Sequence, residues 1–591
     1  MGRIGLWGLR AAAVSFSLLC AAGAFIIFLQ FGGADGIDTL DVVRAVLIFI
    51  STLWLAWGAA LGLIGLTTNA RPPAYDRSRP IEGKTIILMP VYNEDPVSTF
   101  TRLAAMETSL RATEDEAEIH FAVLSDTRKD EIAGREELLF AKLVAEHDGI
   151  GRFFYRRRDE NAGKKAGNIE DFMVRSGGAY DYAVILDADS LIEGETILEM
   201  IRRMEADPKL GLLQTLPKIV NANSRFGRAM QFSASFFSPV FCRGLAMMQG
   251  RTGPFWGHNA IVRVKAFAES CGLPALRGEP PFGGHVLSHD YVEAALLARA
   301  GWTVRVDDDL EGSFEEGPEN IVDYAKRERR WCQGNLQHAR IIGAPRLRLW
   351  SRFVFAQLIM AYIAPLFWLG FIAASVAAPA FVTQPDYFPE PNWPFPYFPP
   401  SEAWKAIGLF IGIFGLLIVP KLLIALKASI SGRARGFGGP ADAFGSTVLE
   451  LLFTSLTAPV LLMYATRSVW QVLSGSDGGW PSNNRGDGRL SYEESFLASW
   501  WITAIGAGGL AITWQFAPGL FPWLLPVGVP MILSAFILRW SSLPARSSMM
   551  QVPADTNPPA ILALHDRYLA AWEGRTGEDT PEDNGPELAI A

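Results

Sequence analysis

Six apolar runs punctuate the chain, at about residues 11–31, 45–66, 353–378, 404–426, 498–516 and 520–538, each long enough to cross a bilayer. A seventh, 447–471, contains Glu450, Pro459 and Arg467, whose polar groups can share one face, so it is expected to lie in the membrane interface as an amphipathic helix. Segments 32–43 and 379–403 hold no Lys or Arg, whereas Arg3, Arg10, Arg71, Lys427, Arg433 and Arg435 fall in the intervening segments. Basic residues are retained on the cytoplasmic side, so six crossings leave both termini and the long polar block there. The first run follows Arg3 and Arg10 as a signal core would, but it is longer and a second run soon follows, which predicts a retained anchor. The expected division is therefore two spans in 1–79, a polar domain in 80–345, two spans in 346–430, an interfacial helix and connector in 431–495, two spans in 496–540 and a tail in 541–591.

Within the polar block the period changes. Thr85 to Val91, Ile119 to Leu124, Tyr182 to Leu186 and Thr303 to Val306 are short apolar runs that end in polar turns and alternate with helical patterns, the rhythm of an α/β sheet. Ligands of such sheets bind beyond the carboxyl ends of the strands, so the residues that follow each run are the candidates. They are Tyr92-Asn93-Glu94, Asp126, and the pair Asp187 and Asp189. Two carboxylates one residue apart can offer oxygens to a hard cation, which in turn neutralises a diphosphate. Asp307 and Asp309 repeat the spacing and read as a solvated turn.

Three further segments carry chemistry. Gly163-Lys164-Lys165-Ala166-Gly167-Asn168 is a small-residue turn with two amines, suited to a phosphate or to a plain charged helix cap. Ser288-His289-Asp290 opens a helix where Asp290 is either a cap or a general base for a sugar hydroxyl. Arg330-Trp331 precedes the third apolar run; it is either a basic flank of the membrane or a guanidinium and indole that hold diphosphate and sugar.

Composition narrows the classes. The 591 residues exceed one hydrophobic core, and 50% hydrophobic against 19% charged residues requires extensive contact with lipid. A net charge of −8 gives no electrostatic basis for a nucleic-acid partner. Cys20, Cys242, Cys271 and Cys332 lie far apart without zinc-ligand spacing and are expected to be reduced thiols.

Taken in order, Pro90-Val91-Tyr92-Asn93-Glu94, Ser125-Asp126, Lys165-Ala166-Gly167-Asn168, Asp187-Ala188-Asp189, Ser288-His289-Asp290 and Arg330-Trp331 resemble the motif series of processive family 2 glycosyltransferases, the group of cellulose and hyaluronan synthases. The wording of Trp256-Gly257-His258-Asn259-Ala260, His289 to Ala295 and Arg329 to His338 is similar to one branch, the glucans biosynthesis glucosyltransferase H family. The resemblance implies a GT-A fold in a bacterial inner-membrane protein, UDP-glucose as donor, a divalent metal (Mg2+ or Mn2+), and a β-1,2-linked periplasmic glucan that is exported as it grows. It implies Tyr92 and Glu94 at the uridine, Asp126 at the nucleotide, Lys165, Asn168, Asp187 and Arg330 at the diphosphate or donor sugar, and Asp187 with Asp189 on the metal. Asp290 falls at the catalytic base, and Trp331, His258 and Asn259 at the acceptor. By the same resemblance Trp480, Arg485 and Asp487 belong to a gating loop, and an acyl carrier protein or a periplasmic glucan-processing protein is a partner. This sequence departs from the wider group at His289, where an acidic residue is usual, and at Arg327, where Gln is usual. A lipid-linked sugar transferase and a non-catalytic UDP-glucose sensor are the alternative classes.

Overall fold

The computed structural model describes residues 3–32, 37–68, 75–113, 115–381, 403–476, 488–545 and 548–574. The polar block contains ten strands: β1 (Thr85–Val91), β2 (Ile119–Ser125), β3 (Phe153–Arg157), β4 (Tyr182–Ile185), β5 (Leu191–Ile192), β6 (Leu210–Gln214), β7 (Lys218–Val220), β8 (Ala260–Arg263), β9 (Thr303–Val306) and β10 (Ser313–Glu316). Seven form one sheet in the order β3-β2-β1-β4-β8-β6-β9, parallel except for β8, and β5-β10-β7 form a second, smaller one.

Strand β1 is wholly buried because helices cover both faces. Its alternate side chains serve two cores: Ile87, Met89 and Val91 join Phe100, Leu103 and Met106 on one side, while Ile86 and Leu88 join Ile169 and Phe172 on the other. The parallel register sets Val91 beside Ser125, and Leu88 beside Ile185. The carboxyl ends of β1, β2 and β4 are thereby neighbours, and the motifs that follow them open into one crevice.

Among the described residues six helices are long and apolar enough to cross a membrane: Gly5–Gly32, Thr39–Thr67, Leu349–Ala380, Ala403–Ser431, Pro440–Leu473 and Tyr492–Phe516. Two features differ from the sequence expectation. The sixth run is not one helix: Pro518–Ile532 and Ser534–Ser541 meet at a 60° bend. Pro526 and Pro530 remove backbone donors just before that break. The segment expected as an interfacial helix over 447–471 is a continuous 34-residue helix that passes the same length and apolarity test. It packs against the other apolar helices and also reaches the polar domain and the C-terminal segment. Near its start Ser446 Oγ accepts from Met550 N–H at 2.8 Å and Phe453 meets Phe226; near its end Gln471 accepts from Arg329 at 3.2 Å and Val472 packs with Cys332. The buried Glu450 pairs with Lys421 at 2.7 Å, fixing it to helix Ala403–Ser431.

The polar domain and the apolar helices are in direct contact. Gly65 on helix Thr39–Thr67 and Gly244 on helix Ser238–Gln249 allow the contact: a Cβ at either would stand 1.8 Å from Val240 O or 2.0 Å from Leu61 O. The expected tail is also more than a tail. Helix Ala560–Glu573 returns to the polar domain and buries Ile561 and Leu562 in the core that contains β1.

Candidate active site

The turn after β1 is fixed by Asn93, whose φ of +57° is one that Asn tolerates. Its N–H donates to Thr127 Oγ1 at 3.0 Å, and its Oδ1 accepts from the N–H groups of Arg128 and Lys129 at 3.1 and 3.2 Å. This ties the ends of β1 and β2 together and presents Tyr92 and Glu94 to the crevice, where the Glu94 carboxylate accepts from Tyr92 N–H. Asp126 is 3% exposed, and both of its oxygens are bound by Arg158, at 2.7 and 2.8 Å. Arg158 follows β3, an edge strand whose two arginines interrupt the apolar pattern, so that its strand-end position is not legible from apolar runs alone.

Lys165 lies in the first turn of helix Lys164–Arg175 and joins two parts of the site, donating to the Asp187 carboxylate and, at 2.7 Å, to Gly257 O. Gly257 has φ +85°, and a Cβ there would stand 3.6 Å from Asp290 Cβ, so the glycine brings the Trp256 to His258 loop against the start of helix His289–Ala300. His258 Nε2 is 3.5 Å from the Glu315 carboxylate on β10. Burial lowers the His258 pKa, but the Asp187 and Glu315 carboxylates outweigh it and hold the imidazole above its usual value. Burial also raises the Asp290 carboxyl; His289 opposes this and Glu293 adds to it.

Helix Ile321–Leu336 contributes the opposite wall. Arg330 lines the same cavity; burial and Arg327 lower its pKa, while Asp187 and Glu94 oppose. Arg327 stacks on Trp331 at 4.7 Å and on Tyr324 at 5.8 Å. Arg327, at the position where the wider group usually has Gln, thus puts a second cation beside Trp331.

One cavity of about 1340 Å³ is lined by Tyr92, Glu94, Asp126, Lys165, Asp187, Asp189, His258, Asp290, Arg330 and Trp331. It continues between the apolar helices past Tyr362, Tyr464 and Ser468. Two expected residues are not on its wall. Asn168 is fully buried, its amide donating to Leu124 O at 3.0 Å and accepting from Arg156, so it braces β2. Asn259 is fully buried too, donating to Ser313 Oγ at 2.9 Å and Phe314 O at 3.2 Å, and it joins the two sheets. Trp480, Arg485 and Asp487 lie outside the described residues. Asp307 and Asp309 do not form a solvated turn: they clamp the buried Arg203 at 2.8 and 2.7 Å.

Asp187 and Asp189 suit a hard divalent cation as far as the donor set goes, since both are carboxylates on the same cavity wall. Among the described residues there is no group of three or more His, Cys, Asp or Glu arranged to hold a metal. A cation here would take its remaining ligands from diphosphate and water, the ordinary arrangement for Mg2+.

A membrane-associated glycosyltransferase with a GT-A fold is the class this sheet and this site define. The glycosyl transferase family 2 model matches residues 86–270, and the glycosyl transferase family group 2 model matches residues 182–418. A glucans biosynthesis glucosyltransferase H from Cereibacter sphaeroides is 62% identical over 565 residues, 95% of each chain, and one from Rhodopseudomonas palustris is 39% identical over 96% of this chain and 80% of its own. A mannosyltransferase from Pyrobaculum calidifontis, solved in complex with GDP-Man and Mn2+, aligns over 73% of this chain and 99% of its own at 15% identity and a TM-score of 0.44. The chain belongs to the glucans biosynthesis glucosyltransferase H family, and is a glucosyltransferase of glucan biosynthesis.

Proposed function

We propose that the enzyme takes glucose from UDP-glucose, extends a β-1,2-linked glucan with inversion at the anomeric carbon, and passes the product across the bacterial inner membrane. The catalytic domain and both termini face the cytoplasm in this reading. What supports it is one observation: the single cavity that unites the three strand-end motifs with Asp290 and Trp331 continues between helices Leu349–Ala377 and Pro440–Leu473.

In this mechanism Tyr92, Glu94 and the Asp126–Arg158 pair form the uridine side, and Lys165 and Arg330 hold the diphosphate. Asp187 and Asp189 would hold a divalent cation, Mg2+ or Mn2+, whose charge neutralises the diphosphate. Trp331 and His258 seat the acceptor end. Asp290 takes the proton from the acceptor hydroxyl as its oxygen bonds to the anomeric carbon; the bond from that carbon to the diphosphate oxygen breaks, and its electron pair leaves with UDP. One displacement converts an α-linked donor into a β-linked product.

Replacing Asp290 by Asn removes the proton acceptor while keeping the shape. Transfer should fall by about 10²–10⁴-fold, the range for a general base, with UDP binding unchanged in a titration. An Asp290→Asn enzyme that turns over at the parent rate would remove Asp290 from this role.

A further inference from the structure

The chain end returns from the last apolar helix to the polar domain and packs behind the donor site, not beside it. Helix Ala560–Glu573 buries Ile561 (1% exposed) and Leu562 (6%) in the β1 core. Tyr568 and Thr108 share a hydroxyl bond at 2.8 Å, and Trp572 Nε1 donates to Glu146 at 3.1 Å. The stretch before it is strapped down as well, by Arg228 on Asp555 at 2.7 Å and by Met550 N–H on Ser446 of the long helix.

The helix that Ala560–Glu573 packs against, Pro96–Arg111, begins directly after Tyr92-Asn93-Glu94-Asp95 and carries Arg102. Its side chain is 4% exposed, and the guanidinium links three elements. It donates to Ser98 Oγ at 2.6 Å in its own helix, to Ala188 O at 3.4 Å between Asp187 and Asp189, and to Glu316 at 2.8 Å on β10, next to the Glu315 that faces His258. From the chain end, His565 (3% exposed) and Asp566 both lie within electrostatic reach of Arg102 and Glu316. Where water is excluded, the hydrogen bonds that orient a buried guanidinium are stronger than they would be in water.

We propose that helix Ala560–Glu573 is a positioning element of the donor site: by enclosing Arg102 it fixes the Asp187-Ala188-Asp189 turn, so the enzyme is competent only once its last apolar helices are placed and the chain end has docked. Arg102 touches no reacting group in this arrangement and acts through the turn. The inference rests on the reading of that turn as the diphosphate side of the donor site.

The test uses the full chain in lipid nanodiscs and measures Mn2+-dependent binding of UDP, from the electron paramagnetic resonance signal of unbound Mn2+. Arg102→Ala and Ile561→Asp should each weaken UDP binding about tenfold, and the double variant should also be weakened about tenfold, because both substitutions break the same linkage. Arg567→Ala, on the exposed face of the same helix, should bind as the parent does. Tyr568→Ala replaces Ile561→Asp in the cycle where the latter does not yield folded protein. Unweakened binding in Arg102→Ala, or losses that multiply to about a hundredfold in the double variant, would overturn the inference. If the intact chain itself shows no Mn2+-dependent UDP binding, the donor-site reading falls, and this inference with it.

Discussion

Asp290 occupies the first turn of a helix, where an acidic side chain ordinarily only complements the helix dipole. What distinguishes it is visible only in three dimensions: it lines the cavity, it lies beside Gly257, and burial raises its carboxyl above its ordinary value. A base must be ionised to act, so the acid limb of the pH profile of kcat/KM should lie above that of an ordinary aspartate, and Asp290→Asn should abolish the limb together with the activity. A limb unchanged in residual turnover of that variant would assign it to another group. The sequence named Asp290, Asp187, Asp189 and Lys165 because strand ends and helix starts are legible as patterns. Asn168 and Asn259 lie behind the wall; a motif residue that braces the wall and one that lines it look alike in one dimension. Asn168→Ala should therefore leave the donor KM unchanged while lowering stability by about 1–3 kcal/mol, since Leu124 O and Arg156 lose a buried partner; thermal unfolding beside steady-state kinetics checks both halves.

At the scale of elements, apolar periodicity located the expected strands to within a residue, because strands buried on both faces read as uninterrupted apolar runs. It failed where tertiary contacts decide. Strand β3, with Arg156 and Arg157, is an edge strand that the pattern does not show. Helix Pro440–Leu473 satisfies the composition of a span while touching the C-terminal segment near its start, at Ser446, and the polar domain near its end, at Gln471. Single cysteines introduced at Gly439 and Ser474 should accordingly both react with an impermeant maleimide from the side that bears the catalytic domain; labelling from opposite sides would make this helix a crossing. Two buried histidines give a second check on packing. Burial lowers His338 and His565 to about 4, below the ordinary imidazole value. Between about pH 6.5 and 4 the unfolded chain binds protons that the folded chain does not, so stability should be full above that window and fall through it as the pH drops. His338→Gln should flatten part of that fall in urea titrations at successive pH values.

For the molecule as a whole, the polar and apolar parts form one continuous structure. Gly65 and Gly244 let the second apolar helix lie directly against the domain, Arg10 of the first donates to Met248 O at 2.9 Å, and the chain end closes over the core of the domain. The order of the parts was legible from hydropathy and motif spacing; the return of residues 560–573 was not, because a short amphipathic stretch after the last apolar run carries no mark of the surface it will cover. The cavity lined by the strand-end residues is also lined by Tyr362 and Tyr464 of the apolar helices, the arrangement that the proposed export requires. The most direct measurement is incubation of the purified enzyme, reconstituted in sealed vesicles with its catalytic domain outward, with radiolabelled UDP-glucose and Mg2+. The expected result is a water-soluble β-1,2-glucan recovered inside the vesicles, made by the parent enzyme and not by Asp290→Asn. Label recovered only in an organic-soluble product, or no incorporation at all, would contradict a glucan polymerase that exports its own product.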